Sequence, residues 1–163
     1  MIIRTARDED AVGIVRIQNP FIRDTAVTFN SEEKTPEMIC AAIAELPCFL
    51  VAEQEGILLG FASYMQFRRG IGYARAMEHT IVLAPDAQGK GAGRALMQAI
   101  EEHAVKNDVG SLWAGVSGEN PAGVAFHKRI GFEEIATLPK VGFKFERWMD
   151  LVLLRKWLAK DGT

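Results

Sequence analysis

Residues 88–94 read Gln-Gly-Lys-Gly-Ala-Gly-Arg, with three glycines in five positions and Lys90 and Arg94 among them. Glycines at this density let backbone N–H groups converge on one point. The stretch leads directly into a helical pattern, whose N-terminus adds about half a positive charge at that point. The chemistry expected is the binding of an anion, most naturally a pyrophosphate. Two phosphate-loop patterns are excluded by spacing. A P-loop requires GxxxxGK followed by Ser or Thr, and the chain has no such run. A dinucleotide fingerprint requires GxGxxG after the first strand of a βαβ unit. Counted from Gly89 the sixth position is Arg94, and the loop lies in mid-chain.

Such a loop needs a strand before it and a helix after it. Ala76 to Leu83 supplies the strand, and Leu96, Ala99 and Ile100 recur at helical spacing as far as Lys106. Upstream, residues 2–6 read as a strand. Asp8, Glu9 and Asp10 then supply a cap and first-turn acids for a helix that Asn19-Pro20 is expected to stop. Thr35, Pro36 and Glu37 open a second helix through about Ala44. Residues 49–53 and 58–66 form a hairpin around Glu55-Gly56, followed by a Gly/Arg loop over 68–75. Downstream lie a strand over 111–116, a helix over 120–130 ended by Gly131, and strands over 132–138 and 148–154. The order βα, α, ββ, βα, βα, ββ predicts one mixed α/β (α+β) domain over residues 1–163, built around one sheet.

Composition narrows the function classes. A chain of 163 residues with 48% apolar and 25% charged residues is one globular domain with a sizeable core. Nineteen basic residues against 21 acidic ones give a net charge of −2, which argues against a nucleic-acid footprint. The longest stretch without Asp, Glu, Lys or Arg is the twelve residues 56–67, too short for the ~20 of a membrane span. The first residues carry no apolar signal segment, so a cytoplasmic protein is expected. Cys40 and Cys48 have neither the spacing nor the His neighbours of a zinc site, and read as free thiols with no metal expected.

Within the loop, Gln88-x-x-Gly91-x-Gly93 resembles the (Q/R)xxGx(G/A) motif of the GNAT acetyltransferase superfamily. Residues 120–132, an Asn opening a helix that closes on Ile-Gly-Phe, are similar to that superfamily's later motif. The order of elements resembles the GNAT acyl-CoA N-acyltransferase fold, a mixed central sheet flanked by about four helices. Within the superfamily the chain resembles the phosphinothricin N-acetyltransferases and the methionine sulfoximine and sulfone acetyltransferases. Phe67-Arg68, Glu78-His79-Thr80, residues 85–91, Phe126-His127 and residues 141–151 carry this resemblance. It implies acetyl-CoA as co-substrate, a small-molecule amine of amino-acid type as acceptor, direct attack in a ternary complex, and a homodimer.

Amide formation from a thioester needs a neutral amine held against the carbonyl, an acceptor for its proton, and a donor at the oxyanion or leaving thiolate. Glu78, a carboxylate in an apolar strand, is the base candidate, and the resemblance places it at the family's general base; the bland alternative is an ion pair with Arg75 or Arg94. His79 points to the other face of a regular strand and is expected to be structural. His127 stands where many relatives carry a tyrosine thought to protonate the thiolate; it either does so or lines the cofactor groove. The resemblance assigns Gln88, Gly89, Lys90, Gly91, Ala92, Gly93 and Arg94 to the pyrophosphate, and the backbone of Ile81, Val82 and Leu83 to the pantetheine. It assigns Asn120 and Phe126 to the same cofactor, with Gly123 standing where relatives tend to have Ser. On the acceptor side, Arg68 suits a carboxylate, while Phe29, Phe67 and Tyr73 either wall the pocket or, for the phenylalanines, belong to the core. Lys144, Phe145, Arg147 and Trp148 form a basic, aromatic run read as part of the dimer interface. Two other readings stay open: a different amine (a protein N-terminus, a polyamine, an aminoglycoside) or a non-catalytic acyl-CoA-binding module.

Overall fold

The computed structural model describes residues 1–160. In chain order the elements are β1 (Ile2–Thr5), α1 (Ala11–Asp24), α2 (Pro36–Glu45), β2 (Cys48–Gln54), β3 (Ile57–Gln66), β4 (Ala76–Leu83), α3 (Ala92–Lys106), β5 (Ser111–Ser117), α4 (Pro121–Arg129), β6 (Glu133–Lys144) and β7 (Arg147–Trp157). The seven strands form one sheet in the order β1-β2-β3-β4-β5-β7-β6. Every neighbouring pair is antiparallel except β4–β5, which is parallel. This is the mixed sheet with four helices that the order of elements predicts.

Alternation along the strands sorts side chains onto two faces. One face carries Leu50, Tyr64, Leu112, Ala114 and Leu154, and packs against α3 through Leu96, Met97 and Ile100. The other carries Phe49, Val51 and Phe61 beneath Ile14 of α1 and Ile39 of α2. That second cluster reaches Val82 of β4, and among the described residues none of its members lies on β5 or β7.

Local chemistry accounts for most boundaries. Thr35 accepts a hydrogen bond from the Met38 N–H at 3.2 Å and Pro36 fills the first helical position, so α2 begins as its sequence implies. Glu55 and Gly56 both have positive φ (52° and 79°), the two-residue turn that suits a right-twisted hairpin. Asp8, Glu9 and Asp10 form a single 3-10 turn ahead of α1, and Asp10 accepts the Arg7 N–H and both Arg4 amino groups at 2.8 Å.

Two boundaries differ from the sequence expectation. Pro20 does not stop α1; the helix runs four residues past it to Asp24. Proline costs about 3 kcal/mol in a helix interior, and burying an Ile side chain recovers roughly 1.5–3 kcal/mol. Ile22, 2% exposed, supplies that burial, and Thr25 closes the end by donating its N–H and hydroxyl to the Phe21 carbonyl. The final hairpin is also longer than expected, because Phe145 and Glu146 take positive φ (52° and 59°) and turn the chain without a glycine or asparagine to signal it.

Gly60 pairs with Leu83 at the last rung of β3–β4. A methyl group there would lie 2.5 Å from the Val82 carbonyl oxygen, a backbone atom that cannot swing aside. Gly60→Ala is expected to lower stability by about 1–3 kcal/mol, read as a lower urea midpoint at unchanged slope. Gly72→Ala, with nothing within 4 Å of the added methyl, should stay within about 0.5 kcal/mol of wild type.

Candidate active site

β4 and β5 pair over only three residues, Ala76–Ser111, Met77–Leu112 and Glu78–Trp113. Beyond Glu78, β4 continues to Leu83 against β3 alone, and β5 continues to Ser117 against β7 alone. The sheet therefore opens between them, and among the described residues no strand pairs with the inner edge of β4 over Ile81, Val82 and Leu83. Extended backbone with free N–H and C=O groups pairs readily with an amide-bearing chain.

The glycine loop stands at the far end of this opening. After β4, Pro85 to Ala87 form one 3-10 turn, with Ala87 buried. Gly89 and Gly91 follow at φ +76° and +83°, in the left-handed region that favours glycine, and an added Cβ at either would meet nothing within 4 Å. α3 starts at Ala92 with no side chain capping it, so its first N–H groups are not taken by a cap. Gln88, Lys90 and Arg94 are exposed around that turn. A Cβ on Gly93 would press on Leu83 and Phe126 at 3.2–3.3 Å, so this glycine lets α3 approach β4 and α4 closely. An open left-handed turn, an uncapped helix and two exposed cations fit a pyrophosphate.

Glu78 sits at the rung where the pairing ends. It is half-buried, and burial pushes its carboxyl above the usual range. Among the described residues it makes neither a hydrogen bond nor an ion pair; Arg75 instead donates to the Asp108 carbonyl at 2.8 Å. Gly115 leaves room beside it, since a Cβ there would lie 3.5 Å from Glu78 Oε1 and from Leu151.

The two histidines meet on the opposite face. His79 Nε2 lies 2.9 Å from His127 Nε2, and His127 Nδ1 lies 2.7 Å from the Gly123 carbonyl. A carbonyl only accepts, so His127 Nδ1 carries the proton and its Nε2 accepts from His79 Nε2–H. His79 Nδ1 makes no hydrogen bond of good geometry among the described residues, although the Trp113 backbone beside the ring favours a proton there against the effect of burial. Both rings are buried against Phe132. Burial, then the neighbouring His127, pushes His79 down to about 3, and burial also lowers His127. His79 is structural, as alternation implies. His127 has both nitrogens engaged within the protein rather than directed into the opening. Asn120 caps α4 by accepting the Gly123 N–H at 3.0 Å, and its Nδ2 lies where a side chain at 123 would fall.

Of the acceptor candidates, Phe67 lies on the Glu78 face, against Trp113, the residue paired with Glu78. Phe67 stacks on Trp113 at 4.9 Å, and Trp113 also carries Arg155 over its ring at 5.8 Å. Arg68 is exposed, its guanidinium 5.5 Å above the Tyr73 ring. Phe29, on the α1–α2 connection, packs directly on Gly142 of β6. Trp113, Gly115 and Leu151 escaped the sequence reading. The only signal for them was strand parity relative to Glu78, which needs the β4–β5 register.

Comparison with known proteins decides the family. The acetyltransferase (GNAT) family model matches residues 8–132. The chain belongs to that family. It is an acetyl-CoA-dependent N-acetyltransferase. A phosphinothricin N-acetyltransferase of Alcaligenes faecalis is 35% identical over 99% of this chain and 84% of its own. An L-methionine sulfoximine/L-methionine sulfone acetyltransferase of Salmonella typhimurium is 31% identical over 100% of this chain and 98% of its own. The yncA structure from Salmonella typhimurium, solved with its cofactor acetyl-CoA, superposes with a TM-score of 0.93 at 30% identity, covering 100% of this chain and 96% of that one.

The histidine pair links this GNAT site to pH. The folded state holds both rings neutral, whereas unfolded histidines protonate near pH 6.5. The pair's contribution is therefore complete above about pH 6.5 and is lost as pH falls. Between pH 7 and pH 5, wild type is expected to lose about 2 kcal/mol more unfolding free energy than His79→Leu, measured by urea titration of both proteins.

Proposed function

We propose that this enzyme acetylates the amine of a small amino-acid analogue of the phosphinothricin, methionine sulfoximine or methionine sulfone type, with Glu78 as general base in a ternary complex. The observation that carries the reading is Glu78 itself: a half-buried, unpaired carboxylate at the last rung before the sheet opens. When bound, acetyl-CoA supplies the acetyl group as an activated thioester. The N–H groups of the Gly89–Gly93 turn, with Gln88, Lys90 and Arg94, hold its pyrophosphate, and the free edge over Ile81, Val82 and Leu83 pairs its amide-bearing arm. Asn120 Nδ2 is available to the same arm, and Phe126 walls it.

An amino-acid amine is an ammonium at neutral pH and must shed protons before and during attack. A carboxylate raised by burial and free of any cation is a stronger base than an ion-paired one, which suits Glu78 to take that proton. His127, hydrogen-bonded at both nitrogens, acts here by holding α4 against β4. The stacked Phe67–Trp113 pair offers an apolar floor beside Glu78. Arg68 at the loop mouth matches the substrate carboxylate, and Phe29 and Tyr73 flank the opening.

The acceptor assignment is supported by the relatives' names and by this face, which is aromatic with cations at its margin rather than rimmed by acids. The β6–β7 hairpin adds an exposed apolar patch: Phe143 and Trp148 are 55% and 59% exposed and meet edge-on at 5.0 Å. We assign it to contact with a second copy of the chain.

Thiol release from acetyl-CoA against phosphinothricin, methionine sulfoximine, methionine sulfone, spermidine and a short peptide tests the acceptor class. Turnover confined to the last two would sink it. Glu78→Gln is expected to cut kcat about 10²–10⁴-fold while acetyl-CoA binds as before. In wild type, kcat/KM should rise with pH through a pKa above the ordinary carboxylate value, and this limb should vanish in Glu78→Gln. Sedimentation equilibrium should show a dimer that Phe143→Glu with Trp148→Glu converts to monomer; a wild-type monomer would remove the interface.

A further inference from the structure

Lys144 is 4% exposed, although Phe143, Phe145 and Trp148 around it are among the most exposed aromatic residues of the chain. Its ammonium donates to three backbone carbonyls: Ile22 at 2.6 Å, Thr25 at 2.7 Å and Thr28 at 2.9 Å. These belong to the last turn of α1, its C-terminal cap and the connection to α2. The Phe145 ring lies 5.1 Å from Nζ. Among the described residues no carboxylate pairs with Lys144. An ammonium has three N–H groups, so three carbonyls match it one for one, and a helix C-terminus favours a cation.

Gly142 stands two residues earlier on the same face of β6 and is also buried. A Cβ there would fall inside the Phe29 ring. Lys144 and Gly142 thus grip one segment: the lysine holds its backbone, and the glycine seats the ring of Phe29. Most other bonds of residues 25–32 are local, Val27 N to Thr25 Oγ1, Asn30 N to Thr28 Oγ1 and Glu32 N to Asn30 Oδ1. Gly142 pairs with Met149, and two residues along β7 on the same face Leu151 reaches Gly115, beside Glu78.

The geometry points to Lys144 as a positioning residue that ties the α1–α2 connection to β6 and so sets Phe29 as a wall of the amine-binding side. The inference rests on the proposed acceptor face but not on which amine is used. It separates the two substrates, because the grip lies on the β6–β7 side and not on the Gly89–Gly93 turn.

Two measurements on wild type, Lys144→Met and Gly142→Ala test it: backbone hydrogen exchange, and steady-state kinetics with methionine sulfone and acetyl-CoA. In Lys144→Met, exchange of residues 25–35 should quicken at least ten-fold with β4 and α3 unchanged. The KM for the amine should rise at least ten-fold while that for acetyl-CoA stays within two-fold. Gly142→Ala, which displaces Phe29 and keeps the ammonium in place, should raise the amine KM without quickening exchange. Unchanged exchange in Lys144→Met, or equal changes in both KM values, would overturn the role. So would faster exchange with an unaltered amine KM. If Lys144→Met does not fold, an unaltered amine KM in Gly142→Ala overturns it. A wild-type enzyme inactive on every amine-bearing amino acid would instead defeat the acceptor reading, while exchange still decides whether Lys144 holds the connection.

Discussion

Two parallel strands that pair for three residues and then separate govern this structure. Above Glu78, β4 and β5 each keep one hydrogen-bonded neighbour and lose the other. Backbone groups left unpaired inside a protein are costly, so a sheet interrupted in this way favours a ligand carrying amides of its own. The interruption also places Glu78 at its apex. A carboxylate there is removed from much of its solvent, which raises its affinity for a proton, and among the described residues no cation pairs with it to lower that affinity.

The surrounding elements hold the two sides of the opening at a set distance. On one face, His79 of β4 and His127 of α4 share a hydrogen bond, and His127 Nδ1–H donates to the Gly123 carbonyl in the first turn of α4. Gly93 brings α3 against Leu83 and Phe126 from the same side. The opening thus lies between elements tied by a neutral imidazole pair, whose geometry depends on neither ring becoming charged. On the other face the core under α1 and α2 ends at Val82, and the uncovered remainder is floored by Phe67, Trp113 and Leu151. The helices thus cover the two faces of the sheet around Glu78 unequally.

Charge is deployed locally rather than globally. The chain is net acidic at −2, yet Lys90, Arg94 and an uncapped helix N-terminus converge on one turn. Lys144 contributes to structure instead: its cation is spent on carbonyls at the end of α1, the end with negative dipole character. In sequence it belongs to the same basic, aromatic run as Arg147 and Trp148, which are exposed. Lys144 is buried within the protomer while its cross-strand partner Arg147 is exposed, so the expected interface run does not extend to Lys144.

Much of this was legible in the residues alone. The glycine spacing from Gly89 to Gly93, the proline and cap of α2, and the alternation of β4 that separates Glu78 from His79 are all short-range signals, and local sterics enforce them. The continuation of α1 past Pro20, the turn at Phe145-Glu146 and the burial of Lys144 are not of that kind. Each runs against local propensity and is supported by partners far away in sequence, such as the 122 residues between Ile22 and Lys144. The meeting of His79 with His127, and of Phe29 with Gly142, likewise exists only once the sheet order brings β4 to α4 and α1 to β6. The sequence by itself determined the glycine-rich turn, the strand that bears Glu78 and the order of elements, because neighbouring residues decide those. Tertiary structure alone decided where β4 and β5 part, which histidine nitrogens are taken and what the buried lysine holds, because those depend on free energies of burial and pairing that no local segment contains.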